Sequence, residues 1–283
     1  YGHQRKIRDP GIIVTDGSFH GRTLATLSAS GNRKIQAGFE PLVQGFYRVP
    51  FDDVEAIRQV GENNKNIVAV LVEPIQGEGG IQIPAPGYLA ALRRLCDERG
   101  WLLMLDEIQT GMCRTGKWLA YQHENILPDV VTLAKALGNG VPIGACLARA
   151  AAAQVFKPGS HGSTFGGNPF AARVALAVID ALDSGNFGAR ATALGARILD
   201  GLKRGLTNEP AVVDIRGLGL MLAIELDRPC KEIMQLALDE RLLVNVTVDK
   251  VIRLLPPLIL SDAEADTLVE RLVRVVKKFL EQK

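Results

Sequence analysis

Residues 101–109 read WLLMLDEIQ, and residues 130–135 read VVTLAK. In both stretches an apolar run ends in a polar anchor, Asp106 in the first and Lys135 in the second. Such runs, rich in branched side chains, indicate strands that are buried on both faces of a parallel sheet. Ligands bind beyond the carboxyl ends of the strands in these sheets, so the sequence predicts that one carboxylate and one lysine project into the same crevice.

A lysine and a buried carboxylate in one crevice suit a particular cofactor chemistry. The lysine can condense with an aldehyde, and the carboxylate can keep a heteroaromatic nitrogen protonated, which is the pair of groups that pyridoxal phosphate needs. Taken alone, either residue is more often an ordinary polar residue at a strand end. The glycine-containing stretches 111–116 and 138–140 follow the two anchors, and such permissive loops let a ligand approach closely.

The size and charge of the chain narrow the classes of protein to which it can belong. It has 283 residues, 47% hydrophobic and 23% charged, which is enough for one large domain and a smaller one. The net charge is +2, the aromatic fraction is 5%, and no basic run stands out. We therefore expect no nucleic-acid partner.

The cysteines and the hydropathy pattern predict a cytoplasmic protein. Four cysteines are scattered without paired spacing, so we expect neither a disulfide framework nor a metal site. No apolar stretch reaches membrane-spanning length, and the first residues do not resemble a signal peptide. The sequence begins at Tyr1 and not at Met, which suggests a piece of a longer protein.

The pattern of predicted elements changes after Asn168. Before it, apolar runs alternate with amphipathic helices, with strands predicted at 12–14, 67–72, 101–105 and 130–134. After it, we predict helices at 169–182 and 188–206, strands at 212–217, 220–225 and 251–255, and a last helix capped by Ser261 and Glu264. The predicted fold is α/β, with a mostly parallel sheet sandwiched by helices in a large cofactor-binding domain, 1–187. A smaller C-terminal α+β domain covers 188–283.

Five ordered motifs resemble the class III, fold-type I aminotransferases, and the resemblance runs over the whole chain. Within that family the sequence is closest to the acetylornithine and succinylornithine group. The motifs are DGSFHGRT (16–23), EPIQGEGG (73–80), DEIQTG (106–111), TLAK (132–135) and GSTFGGNP (162–169).

The resemblance implies pyridoxal 5′-phosphate as the cofactor and gives roles to individual residues. Lys135 would bind the cofactor covalently and move the substrate proton, and Asp106 would pair with the ring nitrogen. Gln109 would hydrogen-bond the ring hydroxyl, and Phe19 would stack on the ring. The full set of residues implied at the cofactor is Phe19, Asp106, Glu107, Ile108, Gln109, Lys135 and Thr164.

The resemblance also implies residues that bind the substrates. Arg22 would bind the α-carboxylate of the amino donor, and Arg253 that of 2-oxoglutarate or glutamate, each through a bidentate fork. Glu78 would act as a gate that pairs with Arg253 when the distal amine of the donor must enter. Ser163 and Thr164 would reach the neighbouring subunit's cofactor phosphate and substrate, because the family is homodimeric with sites shared across the interface.

The sequence departs from the family at its beginning. The family has a substantial N-terminal segment that includes a glycine-rich loop for the cofactor phosphate, and this sequence contains nothing that matches it. Two interpretations stay open: the numbering starts within a longer chain, or a truncated product has weakened cofactor binding and dimer packing.

The function predicted at this point is transfer of the distal amino group of N2-acetylornithine to 2-oxoglutarate, a step of arginine biosynthesis. The nearest alternatives are the same chemistry on ornithine, succinylornithine or 4-aminobutyrate. An inactive fragment that serves only as a binding or assembly partner is an alternative of another class. A lysine-based aldolase without cofactor is disfavoured, because it leaves Phe19, Gln109 and the loop at 163–164 without a role.

Overall fold

The apolar runs of the first half form a six-stranded sheet in a computed structural model that describes residues 1–282. In chain order its strands are β1 (Gly11–Thr15), β2 (Phe46–Val49), β3 (Ile67–Val72), β4 (Leu102–Asp106), β5 (Val130–Leu133) and β6 (Ala145–Ala148). They lie in the order β2-β1-β3-β4-β5-β6. Neighbouring strands from β2 to β5 are parallel, and β6 runs antiparallel to β5. The predicted mostly parallel α/β sheet is confirmed.

Short and long helices connect these strands. They are α1 (Leu24–Ala29), α2 (Arg33–Gln36), α3 (Val54–Asn63) and α4 (Tyr88–Arg99), with 3-10 turns at Ala120–His123 and Lys135–Leu137, and α5 (Ala150–Ala153) follows β6. The Asp53 side chain caps α3 by accepting the Ala56 N–H, and Gly100 ends α4 in a left-handed conformation. The apolar stripe of α4, which includes Leu92, Leu95 and Cys96, packs into the same buried core as β3 and β4.

A second sheet of four strands forms in the later part of the described residues. Its strands are β7 (Val212–Leu218), β8 (Met221–Leu226), β9 (Asn245–Thr247) and β10 (Val251–Leu254), in the antiparallel order β7-β8-β10-β9. The helices of this part are α6 (Pro169–Ser184), α7 (Phe187–Gly205), α8 (Ile233–Asp239) and α9 (Asp262–Glu281). The predicted capping box of α9 is present, because Ser261 and Glu264 each bond the other's backbone N–H.

The described residues pack as two units, each built from more than one stretch of chain. Unit 1 comprises Tyr1–Gly77, Pro84–Met112 and Leu119–Ala181, and unit 2 comprises Glu78–Ile83, Cys113–Trp118 and Leu182–Lys283. The division at 187/188 remains a prediction about domains, whereas these units are defined by packing. No helix among the described residues is both long enough and apolar enough to cross a membrane. A cytoplasmic location stays a prediction.

Two glycines of α7 lie where neighbouring elements approach the helix closely. A Cβ added at Gly195 would lie 2.0 Å from the carbonyl oxygen of Gly219, in the turn between β7 and β8. A Cβ added at Gly201 would lie 2.8 Å from a methyl group of Val269 on α9. The Gly219 carbonyl is part of the backbone and cannot move easily, whereas the Val269 side chain can shift. A methyl group is therefore harder to accommodate at position 195 than at position 201.

We predict that Gly195→Ala destabilises the protein and that Gly201→Ala, a matched control on the same helix, has a smaller effect. Both changes gain about 1 kcal/mol of helix propensity. Overpacking against the fixed Gly219 carbonyl outweighs that gain, for a net loss of about 2 kcal/mol in the free energy of unfolding. Urea denaturation midpoints measure the difference. Equal losses for the two variants would contradict this account of the packing.

Candidate active site

Four parallel strands of unit 1 end side by side, and polar residues follow each of them. The strands β1, β3, β4 and β5 are consecutive neighbours in the sheet, so their carboxyl ends lie at one edge. Asp16 follows β1, Glu73 follows β3, Asp106 is the last residue of β4, and Lys135 lies two positions beyond β5. The predicted arrangement of Asp106 and Lys135 on adjacent strand ends is present.

Asp106 is a buried carboxylate whose two oxygens are both held. The residue is 5% exposed, Oδ1 accepts the Ile108 N–H at 3.1 Å, and Oδ2 lies 2.8 Å from His20 Nδ1. A carboxylate only accepts hydrogen bonds, so the proton between them belongs to His20 Nδ1. These two donors fix the direction of the carboxylate and offset the cost of burying its charge.

Lys135 stands close to Asp106 along the sheet and is exposed. Asp106 is paired with Thr132 in the register of β4 and β5, and Lys135 comes three residues after Thr132. Lys135 opens a 3-10 turn with a φ of 46°, a left-handed conformation that is uncommon for residues other than glycine. Such backbone outliers cluster at functional sites, where the surrounding structure holds them in place.

His20 contacts Asp106, although the sequence alone predicts only a packing or hydrogen-bonding role for it. It is buried, its backbone N–H donates to Ser30 Oγ at 2.9 Å, and its ring contacts Asp106. The second ring nitrogen, Nε2, is buried and has no hydrogen-bond partner among the described residues. Only the spatial pairing of residues 86 positions apart identifies this role, and no local pattern signals it.

Glu73 is a second buried carboxylate at the same sheet edge. It is 3% exposed, Oε1 accepts the Phe19 N–H at 2.8 Å, and Oε2 accepts the Gly77 N–H at 3.1 Å. Burial raises the pKa of Glu73 to about 7, although His20 and the two backbone N–H groups act in the opposite direction. The negative charge of Asp106 raises the pKa further.

Phe19 and Gln109, both half-buried, lie beside the loops that Glu73 holds. A Cβ added at Gly77 would come within 2.3 to 2.6 Å of the side-chain amide atoms of Gln109, so a larger residue at position 77 would displace that amide. Gln76 donates through Nε2 to the Asp16 carbonyl at 2.7 Å, which ties the ends of β1 and β3 together. The stacking and ring-hydroxyl roles of Phe19 and Gln109 stay predictions.

Glu107 is buried and fully engaged within the protein. It is 1% exposed, and its oxygens accept the Ala120 and Tyr121 N–H groups and the Thr110 hydroxyl. Burial raises the pKa of Glu107. These contacts favour a role in holding the 3-10 turn at Ala120–His123, and contact of Glu107 and of half-buried Ile108 with a cofactor stays a prediction.

The remaining predicted residues of unit 1 are exposed. The Arg22 guanidinium lies 6.0 Å from the centroid of the Phe19 ring, at the outer limit of a cation–π contact. Ser163 and Thr164 lie in an exposed loop without regular structure, where the Ser163 carbonyl accepts the Gly166 N–H at 3.3 Å. Their roles toward substrate and phosphate stay predictions.

Unit 2 brings Arg253 and Glu78 together. Arg253 lies on β10 with a side chain 12% exposed, and its Nη1 is 2.7 Å from Glu78 Oε1. Its Nη2 donates to Asn245 Oδ1 at 3.0 Å. Arg216 donates to the carbonyls of Gly80 and Ile81, two and three residues beyond Glu78, and so fixes the segment that carries it. The predicted pairing of the gate residues is present, and their role in binding substrate stays a prediction.

The chain is similar to known aminotransferases along its whole length. The family model described as aminotransferase class-III matches residues 1–276. The acetylornithine aminotransferase of Nitrosomonas europaea is 54% identical over 283 residues, and the acetylornithine aminotransferase 1 of Bordetella bronchiseptica is 52% identical over 282. Both matches cover 100% of this chain and 72% of the relative.

A solved structure gives the same result in three dimensions. The ornithine aminotransferase of Toxoplasma gondii, described as having PLP at partial occupancy in its active site, matches with a TM-score of 0.93 and 38% identity. The match covers 97% of this chain and 66% of that chain.

We predict that Glu73 makes the stability of the protein depend on pH. Its folded pKa of about 7 lies above the ordinary value of 4.5, so its contribution is fully present below about pH 4.5 and is lost as the pH rises through 7. The free energy of unfolding of the parent relative to Glu73→Gln should fall by about 3 kcal/mol from about pH 4 to about pH 8. Urea denaturation across that range measures it, and a constant difference would refute the assignment.

Proposed function

We propose that this chain, which belongs to the class-III aminotransferase family, transfers the distal amino group of N2-acetylornithine to 2-oxoglutarate with pyridoxal 5′-phosphate as its cofactor. The products are the N-acetylated glutamate semialdehyde and glutamate, and the step belongs to arginine biosynthesis. The two acetylornithine aminotransferases at 52% and 54% identity support this choice of donor.

One observation carries the proposal: of two adjacent parallel strands, β4 ends in the buried carboxylate of Asp106, and Lys135 lies two positions beyond the end of β5. The residues present fit the cofactor. Asp106 is the acceptor that a protonated ring nitrogen needs, and its two oxygens are already oriented by Ile108 and His20. When bound, the cofactor supplies an aldehyde that takes up the amino group and a ring that accepts electrons.

Lys135 and Asp106 have different roles toward protons in this proposal. The Asp106 carboxylate keeps a proton on the ring nitrogen, because a buried negative charge stabilises a neighbouring cation. Lys135 Nζ would take the proton from the substrate carbon that bears the amino group and pass it to the cofactor, and it would move a proton in the opposite direction when 2-oxoglutarate is the substrate. His20 donates to Asp106 Oδ2 at 2.8 Å and so holds the carboxylate in place while the proton stays on the ring.

Phe19, Gln109 and Thr164 orient the cofactor in this proposal. Phe19 would cover one face of the ring, Gln109 would donate to the ring hydroxyl, and Thr164 would contact the phosphate of the neighbouring subunit's cofactor. Gly77 supports the assignment of Gln109, since the absence of a side chain at this position leaves space for the amide.

Three charged residues and one hydroxyl bind the substrates in this proposal. Arg22 binds the α-carboxylate of the donor and Arg253 that of 2-oxoglutarate, with Ser163 as a further hydrogen-bonding group. The pair of Arg253 with Glu78 at 2.7 Å supports the gate, because Glu78 can neutralise Arg253 whenever no substrate carboxylate is bound to it.

We further propose a homodimer with sites shared across the interface. Large apolar side chains are exposed on and just before α6, which is unusual for a surface that faces only water. They include Phe165 at 81% exposure, Phe170, Leu176 and Ile179. The exposed loop with Ser163 and Thr164 directly precedes this helix, so a partner packed there would meet both.

Ornithine is the second candidate donor, because the matching Toxoplasma gondii structure is an ornithine aminotransferase. The two donors differ in the group on the α-nitrogen: an amide in N2-acetylornithine and a cation in ornithine. A competition assay with acetylornithine, ornithine, succinylornithine and 4-aminobutyrate separates them, and preference for ornithine would replace the proposed donor.

We predict that Lys135→Ala lowers turnover at least about a thousandfold, since both covalent capture of the cofactor and the proton transfer are lost. Lys65→Ala, an exposed lysine just before β3 at the opposite edge of the sheet, is the matched control and should keep the parental rate. The measurement is glutamate formation from 2-oxoglutarate. Turnover of Lys135→Ala within tenfold of the parent would contradict the proposed role.

We predict that Arg253→Ala raises the Michaelis constant for 2-oxoglutarate by about tenfold or more, because a charged, bidentate contact is lost. The constant for the amino donor should change less. Arg228→Ala, on the surface of the same unit and paired with Asp227, is the control. Equal increases for both substrates would count against Arg253 as the 2-oxoglutarate residue.

A further inference from the structure

We propose that Glu73 is a positioning residue. Its carboxylate holds the loop of Phe19 and the loop of Gly77 beside the cofactor, and Gly77 in turn packs against Gln109. The inference deepens the proposed function and rests on it for the identity of the cofactor. Glu73 touches neither the cofactor nor the substrate in this proposal, and it acts through the residues that do.

The geometry of Glu73 is that of a two-point clamp. Its Oε1 accepts the Phe19 N–H at 2.8 Å, and its Oε2 accepts the Gly77 N–H at 3.1 Å. The first donor lies 54 positions away, in the loop after β1, and the second lies four positions away, in the loop after β3. Glu73 therefore joins the loop after β1 to the loop after β3 beyond the last backbone pairing of these strands, next to the bond of Gln76 to the Asp16 carbonyl.

Both residues that donate to Glu73 affect a side chain that is proposed to contact the cofactor. Phe19 itself carries the stacking ring, and fixing its N–H fixes the start of that side chain. Gly77 packs so closely on Gln109 that a Cβ would come within 2.6 Å of three atoms of the amide. A shift of Gly77 would therefore change the space open to Gln109, and both assigned contacts depend on Glu73.

Two titratable side chains lie near Glu73 and affect its charge. The groups that face Glu73 electrostatically are His20 and Asp106, and His20 in turn bonds to Asp106. The imidazole thus interacts with two buried carboxylates, one of which is proposed to hold the ring nitrogen. Because charged hydrogen bonds are stronger than neutral ones, the ionised form of Glu73 holds Phe19 and Gly77 more tightly than the protonated form.

The first test uses the purified chain without added cofactor. Amide NMR resonances of Phe19 and Gly77 should move with pH and share one midpoint, because both report the protonation of one carboxyl group. In Glu73→Gln the amide side chain offers one acceptor oxygen, so at most one of the two N–H groups keeps its bond, and neither resonance follows the parental titration. Independent midpoints in the parent would overturn the clamp.

The second test measures binding of pyridoxal 5′-phosphate to the full chain by its absorption. Glu73→Gln removes the charge, and Glu73→Asp keeps the charge but cannot reach both loops. We expect each variant to raise the dissociation constant by about tenfold. Asp129→Asn is the control, since Asp129 accepts the Leu103 N–H near the start of β4, at the opposite edge of the sheet, and it should bind like the parent.

The outcomes separate the inference from the proposed function. Binding by Glu73→Asp and Glu73→Gln within twofold of the parent would overturn Glu73 as a positioning residue while leaving the function intact. If the parent itself does not bind pyridoxal 5′-phosphate, the proposed function fails and the cofactor half of the inference fails with it. The NMR titration decides the clamp in either case.

Discussion

Buried negative charge at the carboxyl edge of the parallel sheet is the constraint on which the rest of unit 1 depends. Glu73, Asp106 and Glu107 are each at most 5% exposed, and a carboxylate in such a position must be hydrogen-bonded or neutralised. The loops after the strands provide the donors: backbone N–H groups of Phe19, Gly77, Ile108, Ala120 and Tyr121, together with the His20 ring. The conformations of these loops follow from that requirement.

The same constraint connects the fold to the chemistry. Glu107 uses its oxygens to hold the turn after β4, and Glu73 uses its oxygens to hold the loops of Phe19 and Gly77. Asp106 is held by two donors and still offers a fixed negative charge near the strand end that precedes Lys135. A cationic ring nitrogen is the ligand group that such a charge favours. Membership of the class-III aminotransferases agrees with this arrangement.

Local patterns in the sequence were sufficient for most of the fold and for the positions of Asp106 and Lys135 at neighbouring strand ends. Long apolar runs predicted β3, β4 and β5, and the capping box of Ser261 and Glu264 marked where α9 begins. The short strands β2, β6 and β9 have three or four residues each and were not predicted, because their polar or exposed side chains lack a buried-strand pattern. The stretches 78–83 and 113–118 pack with unit 2 for tertiary reasons that no local pattern reveals. The hydrogen-bond partners of Asp106 and Glu73 could not be predicted from local patterns either, because His20 lies 86 positions from Asp106 and Phe19 lies 54 positions from Glu73.

The most direct test of the account is to find where pyridoxal 5′-phosphate attaches to the chain. The purified protein is mixed with the cofactor, its visible absorption is recorded before and after borohydride, and the reduced product is digested and analysed by mass spectrometry. The account predicts a visible band that borohydride abolishes and a single phosphopyridoxyl label on Lys135. No visible band, or a label spread over other lysines, would contradict the claim that Asp106 and Lys135 form a cofactor site.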